Sequence, residues 1–115
     1  MSRRLLWILP FAVLASAAAV AAPKGMRLWN LTGETLDRVE LAPAGTQKWG
    51  RNQCSNDDDG TVDFDEELPI KGVKPGRYDV RVRDVHGKTC IARNVEVKAN
   101  ASFAVHEKDL ADCTP

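Results

Sequence analysis

Between Arg77 and Asp84 the chain changes polarity at almost every residue: Tyr78, Val80 and Val82 fall on one side, Asp79, Arg81 and Arg83 on the other. A period of two cannot be one face of a helix, which needs apolar positions three and four residues apart. This stretch must be an extended strand with one buried side. A strand cannot satisfy its own backbone donors and acceptors, so the rest of the chain has to supply neighbours.

It does so at short intervals. Met26–Asn30 and Leu36–Leu41 alternate or nearly alternate, and the turn residues between them predict a hairpin. Ala42-Pro43-Ala44-Gly45 ends the second of these strands. Glu67-Leu68-Pro69-Ile70 is a short extended piece that its proline assigns to an edge. Val85-His86-Gly87 turns the Arg77–Asp84 strand into Lys88–Val97, where Ile91, Val95 and Val97 share a parity. Lys98–Ala101 turns the chain again into Ser102–His106, and the tail from Glu107 to Cys113 holds one short helical turn with Leu110 pointing inward. Short strands separated by Gly- and Pro-rich turns predict an all-β fold, a small antiparallel Ig-like β-sandwich of six to seven strands. Trp49 is expected to cover an open edge of its core, the commoner fate of a large ring than partner anchoring.

The start of the chain reads as an export signal. Arg3 and Arg4 precede an apolar run from Leu5 to Val20, and Ala19-Val20-Ala21 is a small-x-small cleavage site. Residues 1–21 are thus a signal peptide and 22–115 one domain, with a periplasmic address. A twin-arginine signal and a retained membrane anchor are the rival readings; Pro10, the Ala-rich end and the missing lipidation box favour removal. Without Arg3 and Arg4 the 16 basic residues fall to 14 against 16 acidic ones. No basic footprint for nucleic acid remains. A domain of about 94 residues buries roughly 60–65% of its unfolded surface and gains from a staple. Cys54, Cys90 and Cys113 all lie in the exported part, so two of them pair. Three pairings are open. Cys90–Cys113 is preferred, because the chain between them turns back; the odd thiol is either buried or links a homodimer. Zinc held by the cysteines with His86 or His106 has no established spacing.

One stretch stands apart. Ser55–Glu67 carries seven carboxylates in 13 residues, with no Lys or Arg between Asn52 and Ile70. Like charges at 4 Å repel by about 1 kcal/mol per pair in water, so such a loop calls for a cation or full solvation. With Gly60 at position 6 of a calcium loop, Asp57 falls at 3, Asp59 at 5, Thr61 (through its carbonyl) at 7, Val62 at the apolar 8, Asp63 at 9 and Glu66 at the bidentate 12. Position 1 is Ser55, a poor ligand. Gly50 before and Pro69 after exclude a full helix-loop-helix hand. The competing reading is a solvated acidic turn.

Catalytic chemistry has no frame. There is no G-x-S-x-G and no phosphate-binding glycine loop, His86 sits in a tight turn and His106 lies at the parity opposite Phe103 and Val105. A polar acidic loop does not supply the apolar pocket that would raise one carboxylate of a pair. The chain reads as non-enzymatic.

Leu31-Thr32-Gly33-Glu34-Thr35, Leu41-Ala42-Pro43-Ala44-Gly45, Trp49-Gly50, Gly76-Arg77-Tyr78-Asp79-Val80 and the closing Lys108-Asp109-Leu110 with Cys113 resemble a set of small exported proteobacterial proteins of uncharacterised function. The resemblance implies a β-sandwich and a periplasmic address, with no chemistry assigned. The run Asp59-Gly60-Thr61-Val62-Asp63-Phe64 separately resembles EF-hand loops of calmodulin-like proteins.

Two functions follow as expectations. The first is a periplasmic metal-binding protein holding calcium or a lanthanide ion through Asp57, Asp59, Thr61, Asp63 and Glu66. The second is an interaction module that docks a periplasmic partner through Trp49 and the Arg81/Arg83 stripe, its acidic loop only a solvated turn. Neither needs nucleic acid, or a membrane once the signal is cleaved.

Overall fold

A computed structural model describes residues 24–115; the signal sequence expected over residues 1–21 lies outside them. Seven strands form: β1 (Arg27–Leu31), β2 (Leu36–Pro43), β3 (Glu67–Pro69), β4 (Gly76–Asp84), β5 (Thr89–Val97), β6 (Ser102–His106) and β7 (Leu110–Thr114). They divide into a three-stranded sheet, β3-β1-β6, and a four-stranded sheet, β2-β4-β5-β7. The inner faces of the two sheets meet in one core, which includes Leu28, Leu68 and Val105 from the first and Val39, Val80, Val82 and Ala92 from the second. The β-sandwich expected from the strand spacing is therefore what forms. One pair departs from the antiparallel rule: β1 and β6 run parallel, with Arg27 opposite Ser102 and Leu31 opposite His106.

The first predicted hairpin does not exist. β1 and β2 lie in different sheets. The reason is Asn30, which shares the inward parity of Leu28 and is fully buried. Its amide nitrogen donates to the Glu34 carbonyl at 2.7 Å, and its Oδ1 accepts from the Thr32 N–H at 3.0 Å and the Thr32 hydroxyl at 2.7 Å. The connection is thereby curled about a side chain and steps from one layer to the other.

β4 and β5 do form a hairpin, with an irregularity that shifts parity. Tyr78 pairs with Val95 but Val80 with Ala92, so β5 carries one extra residue. Asn94 absorbs it at φ +54°, a left-handed conformation that asparagine tolerates. Inward positions on β5 are Cys90 and Ala92 before the bulge and Val97 after it, with Val95 partly buried against the core; Ile91 shares their sequence parity but not the inward face.

The bulge is held by Asp79, whose side chain is almost wholly buried. Its carboxylate accepts from the Asn94 N–H at 3.0 Å and the Gly45 N–H at 2.9 Å, and meets Arg93 at 3.4 Å. The Gly45 N–H first, then the Asn94 N–H and the Arg93 charge, hold the Asp79 carboxyl below its ordinary range against the opposing effect of burial.

The tail makes its short turn at Glu107–Asp109 and then an unexpected strand, β7, beside β5. Cys90 and Cys113 form a disulfide between these two strands, the preferred pairing, and Cys54 is free and buried. With two of the three cysteines joined, a three-cysteine zinc site is ruled out.

Because the folded Asp79 carboxyl titrates below its unfolded value of about 3.9, its contribution is fully present above that value and disappears as pH falls through the folded one. The stability difference between wild type and Asp79→Asn, followed by urea unfolding, is therefore expected to be constant near neutrality and to shrink below about pH 4. A difference that stays constant into acid would contradict this role.

Candidate functional site: the acidic loop and its supports

The segment from Gly50 to Glu67 runs along the outer edge of β2 and back to the three-stranded sheet. An edge strand presents unpaired backbone groups. Here the segment takes them up. The Gly50 N–H donates to the Leu41 carbonyl at 2.9 Å. The Asn52 side chain imitates a strand, accepting from the Val39 N–H at 3.0 Å and donating to the Asp37 carbonyl at 3.2 Å. Val62 exchanges two 2.9 Å hydrogen bonds with Leu36.

Between these attachments the chain makes a 3-10 turn, Gln53–Asn56, capped by Asn52, whose Oδ1 also accepts the Cys54 N–H. Cys54 has no exposure and plugs the core. Burial first, then the nearby Asp37 and Asp57 charges, push its thiol up to about 12. Arg51 reaches over the turn, donating to Ser55 Oγ and Asn56 Oδ1, both at 2.7 Å.

The five expected ligand residues are placed as follows. Asp57 Oδ2 accepts the Asp59 N–H at 2.9 Å, tightening a turn in which Gly60 adopts φ +74°. The Asp59 side chain makes no hydrogen bond among the described residues. Thr61 is half-buried beside the inward Val62. Asp63 Oδ1 accepts the Thr35 hydroxyl at 3.0 Å, and Glu66 Oε1 turns back to the Asp63 N–H at 2.9 Å. Among the described residues no three His, Cys, Asp or Glu side chains converge as a group able to hold a metal ion. The backbone is committed to the edge of β2 at Val62, so Thr61 and Asp63 project away from it, as alternate residues of an extended chain must.

Residues outside the loop, missed in the sequence, hold it in place. Asn30 donates to the Val62 carbonyl at 3.0 Å, and its backbone N–H donates to the Glu66 carbonyl at 2.9 Å while its carbonyl accepts the Asp65 N–H at 2.7 Å. Trp29 Nε1 donates to Asp65 Oδ1 at 2.9 Å, and Arg27 pairs with Glu67 at 3.1 Å. The available signal was Asn30 itself, a polar residue on the inward parity of a strand. Trp29 remains 38% exposed and Phe64 56%.

The arginine stripe of β4 is otherwise engaged. Arg81 pairs with the buried Glu40 at 2.7 Å and Arg83 with Asp37 at 2.8 Å. The Arg81 guanidinium lies 4.4 Å from the centre of the Trp49 ring, so Trp49 covers an ion pair instead of an open core edge. Trp49, Arg81 and Arg83, the expected docking stripe, thus meet one another or carboxylates of β2 while each keeps part of its surface exposed.

Native protein at about pH 8 should show no thiol reactive towards Ellman's reagent within minutes, because a buried thiol with so high a pKa offers almost no thiolate. One thiol per chain should appear on unfolding. Rapid reaction of the native protein would mean that Cys54 is not the free cysteine or is not buried.

Comparison of the chain with protein-family models, with curated proteins and with solved structures yields no match.

Proposed function

We propose that the chain is an exported, non-enzymatic interaction domain that docks a basic segment of a periplasmic protein on the face formed by Trp29, Phe64 and the carboxylates of loop 55–67. The observation that carries this reading is Trp29: its ring is exposed on the outer face of the three-stranded sheet, yet its orientation is fixed by Asp65. A fixed, half-exposed indole loses little freedom on binding and is the residue type that most often anchors an interface. Lysine and arginine lay their aliphatic stems on such rings and offer their charge both to the ring face and to neighbouring carboxylates. Export is supported by the apolar run after Arg3 and Arg4 and by the disulfide, which persists in oxidising compartments.

Titration of the purified protein with tetralysine, followed by calorimetry, should give saturable binding that weakens with salt. Trp29→Ala should weaken it about tenfold or more, and tetraglutamate should not bind. Equal binding of the two peptides, or an unchanged Trp29→Ala variant, would contradict the reading.

A second reading rests on a separate observation. Gly60 has the positive φ that the sharp turn of a calcium loop demands, and Val62 at position 8 is already tied by backbone hydrogen bonds. Calcium or a lanthanide ion would then be taken by Asp57, Asp59, the Thr61 carbonyl, Asp63 and Glu66, all oxygen donors. Glu66 must first leave the Asp63 N–H and Asp63 the Thr35 hydroxyl, and Ser55 is held by Arg51. The expected calcium affinity is accordingly weak, on the order of 10⁻⁴–10⁻³ M. Calorimetric titration with calcium and lanthanum decides it: Asp59→Ala and Glu66→Ala should each weaken binding, whereas wild type without saturable binding below millimolar ion would end this reading.

A further inference from the structure

At one end of the sandwich the β1–β2 connection, the β4–β5 turn and the Glu107–Asp109 turn line a partly open cavity of about 120 Å³. Its accessible lining is more polar than apolar and includes Glu34, Asp84 and Glu107. Leu36 and Val82 lie behind it, buried, and Leu110, partly buried against the core, is the apolar side chain a ligand can touch.

Asp84 is the distinctive member. Its residue is only 6% exposed, and Oδ1 accepts the N–H groups of His86 at 2.8 Å and Lys88 at 3.0 Å. Oδ2 has no hydrogen-bond partner and no ion pair among the described residues. A buried carboxylate with one oxygen unmatched is costly unless a donor reaches it. Glu107 likewise has no cation beside it among the described residues, and Glu34 meets only His86, at 3.3 Å. Lys88, at the cavity wall, is exposed and forms no ion pair among the described residues. Three carboxylates and one lysine therefore line the cavity.

We propose that this cavity binds a primary alkylammonium group, its methylene chain against Leu110 and its N–H donors on Asp84 Oδ2 and one rim carboxylate. The volume suits a short chain: an apolar cavity of about 150 Å³ accepts benzene. A guanidinium cannot pair bidentately with Asp84, whose Oδ1 already accepts two N–H groups. A bare metal ion is disfavoured by the lack of three converging ligands among the described residues. The ammonium has two possible sources, a lysine side chain of a protein partner or a free small amine. Only the first rests on the interaction reading proposed above; the cavity chemistry is common to both.

The test is a titration of the ¹⁵N-labelled protein with n-butylammonium, with Nα-acetyl-lysine methylamide and with 1-butanol, read from backbone amide shifts. Saturable shifts are expected at Glu34, His86 and Lys88 for at least one of the two ammonium compounds, and none for the alcohol. Asp84→Asn keeps an oxygen for the two turn N–H groups while removing the charge, and is expected to weaken binding about tenfold or more. Glu107→Gln, on the exposed rim, is expected to weaken it a few-fold and serves where Asp84→Asn does not fold. Trp29→Ala is expected to leave it unchanged. Binding of the lysine compound supports a partner side chain as the source; binding of butylammonium alone supports a free amine. Absence of saturable shifts for both ammonium compounds below about 10 mM, equal response to butanol, or an undiminished affinity in folded Asp84→Asn or Glu107→Gln overturns the proposal. Failure here leaves tetralysine docking at Trp29 standing, and failure of that docking leaves butylammonium binding standing.

Discussion

A single buried amide ties the β1–β2 connection and the acidic loop to one point of the sheet. Asn30 has no exposure, and its side chain spends its full capacity of two donors and two acceptors. The donors go to the carbonyls of Glu34 and Val62, the acceptor sites to the N–H and hydroxyl of Thr32. Its backbone meets Asp65 and Glu66. The layer-crossing connection and the acidic loop are thus tied to one point on β1. A buried amide that is fully satisfied costs little, whereas each orphaned partner costs about 1–3 kcal/mol. Breaking this point would leave several orphans at once.

The same economy explains the acidic loop. Its backbone covers the open edge of β2, and its carboxylates serve nearby donors: Thr35, Trp29, Arg27 and the loop's own N–H groups. These local donors relieve part of the charge repulsion. The Trp29 and Phe64 rings stay exposed.

Much of the scaffold could be read from the residues alone. The alternation through Tyr78, Val80 and Val82 named a strand because no other backbone places those side chains together, and the Cys90–Cys113 pairing followed from a chain that turns back between them. Three features were not legible, each for a physical reason. The β1–β2 hairpin failed because Thr32, Gly33 and Glu34 serve equally well in a tight turn and in a bend curled about Asn30; only tertiary burial decides between them. The face of Ile91 failed because Asn94 inserts a bulge, and one residue of slip reverses parity. The cavity carboxylates Glu34, Asp84 and Glu107 come from three separate connections, so no local pattern announces them.

The account turns on Asn30 as the common anchor, and amide hydrogen exchange tests that directly. In wild type the N–H groups of Leu36, Val62 and Asp65 should be strongly protected. Asn30→Asp places a carboxylate oxygen against the Glu34 and Val62 carbonyls, so that protection is expected to collapse together at all three sites while Val80 and Val82 in β4 remain protected. Unchanged protection at Leu36, Val62 and Asp65 in a folded Asn30→Asp protein would contradict the account.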